Sequence, residues 1–158
     1  MVLLLGLQIV IFNHIHLYGY AMPMPYIYAL LILPAVTPRW VYIVVGFVMG
    51  LCVDMGTNTP GMAAAAGTLS GLLVPIFLHL FAPREFDDDT TLLPSAASMG
   101  WGNFISYSTT TVLLHVAVFY AIEDFAFYLP LRLLLNILGS SVFTLLLIAA
   151  FELLRHKE

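Results

Sequence analysis

Apolar residues fill this chain in long blocks, and the polar residues fall between the blocks instead of alternating within them. That pattern predicts helices that are apolar on every side, not half-buried strands or amphipathic surface helices. A helix crossing a bilayer needs about 20 largely apolar residues for a hydrocarbon layer of roughly 30 Å. Six candidate spans follow, at 2–14, 22–36, 39–55, 61–82, 96–122 and 130–154. The first lacks a basic leader and a small-residue cleavage site, so it reads as a retained span. Pro23, Pro25 and Pro34 make the second a short, tilted or broken helix. The third runs into an Asn58-Thr59-Pro60-Gly61 turn before the fourth, and Pro75 sets a kink in the fourth. The fifth is overlong, with Pro94 to Gly102 as an interfacial approach. Pro130 suits the first turn of the sixth.

Composition turns this pattern into a class. Of 158 residues, 61% are apolar and 9% charged, whereas a water-facing domain carries about 25% charged residues. The expected fold is therefore an all-α membrane protein, a six-span helix bundle forming one domain over 1–158. A single cysteine, Cys52, excludes an intrachain disulfide. The net charge of −4 gives no reason to expect nucleic-acid binding. With six spans, Arg39, Arg84, Arg155 and Lys157 share one side and Arg132 faces the other. The positive-inside bias then places both termini in the cytoplasm and Asp54, Asn58, His14 and His16 toward the outer face.

Small residues mark the closest helix pair. Gly46 and Gly50 in the third span, and Gly61, Ala65, Gly67 and Gly71 in the fourth, allow two helices to approach closely. Asn136, Gly139, Ser140 and Thr144 suggest that the last span also turns a narrow polar face inward. Asp54 is the sharpest candidate for chemistry. It either contacts a ligand, ion or partner, or it caps the turn by accepting backbone N–H groups from Gly56 onward or meeting Asn58; the cap is favoured, because Asp commonly satisfies turns this way. His14 and His16 read as interfacial side chains and not as a metal pair. His115 reads as a hydrogen-bonded core histidine, with a proton relay as the alternative. Glu152 has Arg155 and His156 three and four residues on, a spacing that pairs them. Glu123 and Asp124 stand ready to balance Arg132, and Asp87 to Asp89 form a solvated loop. Neither zinc-protease, nucleophile-elbow nor phosphate-loop motifs occur, and nothing orients Ser70 and His79 as nucleophile and base. No enzymatic activity, cofactor or metal is expected.

Gly46-Phe47-Val48-Met49-Gly50, with Asp54 four residues on and a Pro-Gly turn before a small-residue helix, resembles the rod shape-determining MreD family. Asn13-His14-Ile15-His16-Leu17 before Gly19-Tyr20, and Met99-Gly100-Trp101-Gly102, are further likenesses, to the form found in Bacteroidetes-type bacteria. The resemblance implies a non-enzymatic inner-membrane component of the cell-elongation machinery. Its implied partners are an MreC-type protein and, through it, MreB filaments and the peptidoglycan synthases. It also implies a fold similar to the substrate-binding subunits of energy-coupling-factor vitamin transporters. Asp54, Asn58, Pro60 and Gly61 would form a structural and partner-contacting element. A binding subunit of a small-molecule (vitamin) transporter is the alternative function, with Asp54, Asn58, His14 and His16 lining an outward pocket. A carrier coupled through His115 and Asp54 is a third.

Overall fold

The computed structural model describes residues 22–57, 59, 61–83, 93–123 and 130–155. The described residues are all-helical, without a strand. A 3-10 turn, Pro25–Ile27, leads into the short α1, Tyr28–Leu31; α2 is Arg39–Thr57, α3 Met62–Phe81, α4 Ala96–Met99, α5 Trp101–Glu123 and α6 Pro130–Arg155. Four of these, α2, α3, α5 and α6, are long and apolar enough to cross a membrane, as a multi-pass membrane protein requires. The candidate span at 2–14 lies outside the described residues.

The candidate at 22–36 is corrected. Its helical part ends at Leu31, and seven helical residues rise only about 11 Å, too little to cross a bilayer. The proline-rich segment is instead a strap held inside the bundle, with Met24 to Leu31 buried throughout. Non-helical backbone is tolerated at membrane depth only where protein surrounds it and satisfies its polar groups. The overlong fifth candidate divides at Gly100, whose φ of +80° ends α4 and re-aims the chain into α5. A reciprocal Ser95–Ser98 capping box starts α4. Pro75 sits inside α3, which continues to Phe81.

Helices α2 and α3 form the most extensive pair, α3 then packs on α5, and α5 on α6. The pairing of α2 with α3 follows from spacing. A Cβ placed on Gly46 would collide with the Gly67 carbonyl, one on Gly67 with the Gly46 carbonyl, one on Gly50 with Ala63, and one on Gly71 with the Tyr42 carbonyl. Contacts therefore step by four residues along each helix in opposite directions, so that one ridge of α2 (Tyr42, Gly46, Gly50, Asp54) faces Gly71, Gly67 and Ala63. Where a side chain would collide with backbone, only glycine permits this approach. Ala65, expected among the small contact residues, is exposed, and Ala63, Ala64 and Ala66 are the buried ones.

Candidate functional site

Asp54 ends the close-packed ridge of α2 and is 5% exposed. Its Oδ1 accepts from Thr59 Oγ1 at 2.8 Å and from the Ala63 amide at 2.9 Å, and its Oδ2 accepts from the Ala64 amide at 2.9 Å. The N-cap of α3 is Gly61, at φ +81° and with no side chain to offer. Asp54 supplies from the preceding helix the acceptor that an N-cap residue would ordinarily provide to the second and third amides. A carboxylate there also meets the positive end of the α3 dipole. The capping reading is the one the geometry carries, and among the described residues the donors are Thr59, Ala63 and Ala64. Asn58 and Pro60 lie outside the described residues, as do His14, His16, Asp87 to Asp89, Asp124 and His156.

A second polar cluster lies deep in the bundle, around His115. His115 Nε2 is 2.6 Å from the Tyr26 hydroxyl, and Nδ1 is 3.0 Å from Ser70 Oγ, with all three side chains at most 1% exposed. The direction of each bond can be deduced. Ser70 donates its single proton to the Ala66 carbonyl at 2.8 Å, so its oxygen accepts from His115 Nδ1–H. The bare Nε2 then accepts from Tyr26 O–H, which fixes one neutral tautomer with every partner used. A serine activated as a nucleophile must instead direct its proton toward the base. The arrangement therefore has the distances of a serine–histidine pair and the proton placement of a structural tie. Ser70 is paired with His115, not with His79.

The third set of contacts holds the strap against α6. Pro23 and Pro25 have no N–H, so the segment from Met22 to Pro25 offers two amide donors, Met22 and Met24. Both are taken: Met22 N–H donates to Ser140 Oγ and Met24 N–H to Thr144 Oγ1, each at 3.0 Å. The match is one of pitch, because two extended residues advance about 6.6 Å and four helical residues about 6 Å. Ser140 also pairs with Tyr120, and Thr144 returns its proton to the Ser140 carbonyl. Further along the same ridge, buried Glu152 accepts from the Tyr28 hydroxyl at 2.6 Å and from the Ala96 amide at 2.8 Å. Arg155 approaches Glu152 at 3.9 Å, as its spacing predicted, but the closer bonds go to Tyr28 and Ala96. Phenols close the strap's other end, Tyr107 donating to the Leu31 carbonyl and Tyr42 to those of Leu33 and Pro34.

The inward polar face expected of the last span is present at Ser140 and Thr144. The tyrosines and Glu152's bonds to the strap were not anticipated. The usable signal was the Met-Pro-Met-Pro run, whose paired amides require acceptors, set beside hydroxyls four apart on the last helix. Among the described residues, no group of three His, Cys, Asp or Glu side chains is placed to hold a metal. No family model, curated protein or solved structure matches the chain.

Proposed function

We propose that this protein is a non-enzymatic inner-membrane scaffold of the bacterial cell-elongation machinery, of MreD type, acting with an MreC-type partner. The observation that supports it best is the use of its polar side chains. Asp54, His115, Ser140, Thr144 and Glu152 each close a bond within the chain. What α2, α5 and α6 present outward is mainly apolar, including Phe47, Leu51, Ile105, Leu135 and Leu138. A rigid body with apolar flanks suits assembly with other membrane helices better than turnover. In this reading residues 2–14 add a fifth span to the four long helices, the start of α2 and the end of α6 lie on the cytoplasmic side, and the fold is akin to the energy-coupling-factor subunits.

The test is purification of the full chain from native membranes, with mass spectrometry of both proteins and small molecules. Recovery of an MreC-type partner, with loss of rod shape on depletion, is the expected result. Absence of that partner with normal shape on depletion overturns the proposal. A stoichiometric vitamin accompanied by an ATPase module would transfer the assignment to the transporter alternative.

A further inference from the structure

Between α5 and α6 lies a cleft of about 270 Å³. Its rim is made by Trp101, Ile105, Val142 and Leu146, all exposed, and its floor includes the buried Phe104 and Ile148. Along α5 it reaches from Trp101 to Thr109, about 12 Å at the helical rise. It therefore runs parallel to the helices. Trp101 stands at the start of α5, where tryptophan favours the membrane–water interface. From that level, about 12 Å covers most of one leaflet's hydrocarbon, roughly 15 Å deep.

We propose that this cleft is a binding site for one acyl chain of a membrane lipid. Three observations select that occupant. The first is volume: a cavity of about 150 Å³ takes the six carbons of benzene, so this cleft takes about eleven chain carbons. Depth agrees independently, since a chain that fills one leaflet would lie along the cleft over most of its length. The rim supplies the third. A partner helix needs small residues to bring its backbone close, and here bulky side chains flank the cleft while the smaller Ser108 and Ala149 lie between them. A slender chain reaches the floor where a helix cannot. The Ser108 hydroxyl is buried and lacks a hydrogen-bond partner. Ser106, Thr110 and Thr111, by contrast, return theirs to carbonyls four residues back. Apart from Ser108 and Thr109 the lining side chains are apolar, which suits an alkyl occupant.

Tryptophan quenching by brominated lipid tests this directly, because Trp101 lines the cleft and Trp40, at the start of α2, does not. The full chain with Trp40→Phe, and separately with Trp101→Phe, is placed in phosphatidylethanolamine–phosphatidylglycerol vesicles containing a minor fraction of chain-brominated lipid. An occupied site predicts quenching of Trp101 beyond the brominated mole fraction and beyond that of Trp40. Ala149→Leu, which fills the cleft, should abolish the excess. Equal quenching at both tryptophans overturns the proposal. So does a Trp101 shielded from brominated chains, the signature of a protein segment in the cleft. The comparison of the two tryptophans stands whether or not Ala149→Leu folds.

Discussion

At the scale of single residues, the polar side chains that tie the elements together (Asp54, His115, Ser140, Thr144 and Glu152) each find a partner. Ser108, Ser141 and the Asn136 Oδ1 are buried without one. An unsatisfied group in hydrocarbon costs several kcal/mol, which is why His115 is found with both ring nitrogens engaged. The Tyr26–His115 bond can be isolated by a double-mutant cycle of Tyr26→Phe and His115→Leu, read from unfolding in detergent or bicelles. Measured interhelical bonds in membranes average about 0.6 kcal/mol and reach about 1.7. A coupling in that range is expected, and near-zero coupling would mean that the two groups do not exchange a hydrogen bond. His115 as a satisfied core histidine was legible in the sequence. Its partners were not, since Tyr26, Ser70 and His115 come from three separate elements and nothing in their spacing links them.

Among the elements, the α2–α3 hairpin was the most legible part. Gly46, Gly50 and Asp54 recur every four residues, as do Ala63, Gly67 and Gly71, and a helix ridge has that period. The ridge predicts unequal consequences for similar changes. Gly46→Ala and Gly50→Leu drive a side chain into the backbone of α3 and should lower the unfolding midpoint markedly, with Gly50→Leu the worse. Gly102→Ala meets open space near the start of α5 and should be neutral or stabilising by up to about 1 kcal/mol. Gly61 is a third case, with room for a methyl group but φ at +81°. Gly61→Ala should therefore cost about 1–2 kcal/mol through backbone strain alone. Thermal unfolding of the three alanine variants side by side checks the ordering. Equal tolerance would contradict the close approach. The strap was harder to read, because hydropathy treats 22–36 as another span. Its apolar side chains serve the protein interior as well as they would serve lipid.

For the molecule as a whole, the strap is the keystone, touching α2, α5 and α6 through hydrogen bonds. Replacing both acceptors, Ser140→Ala with Thr144→Val, leaves two buried amides unpaired. Each orphaned group costs about 1–3 kcal/mol. Hydrogen exchange at Met22 and Met24 should accelerate in the double variant while the α2–α3 contact keeps its protection. Loss of protection everywhere would instead mean that the strap and the hairpin unfold as one unit. The overall class followed from composition, because a chain with so few charges has nothing to clothe a wet surface. The number of spans did not, since hydropathy reports how apolar a segment is and not whether lipid or protein surrounds it.

The decisive measurement concerns Asp54, whose two oxygens both accept hydrogen bonds. Asp54→Asn changes little in size, yet its amide NH₂ must point one donor at another, whichever way the group is turned. Bonds to a charged acceptor are worth about 1.5–3 kcal/mol. The unfolding free energy of Asp54→Asn in detergent, relative to the native chain, should fall by about that amount, without any added partner or ligand. An unchanged unfolding free energy, with assembly or ligand binding lost, would contradict the role of Asp54 as the tie between α2 and α3.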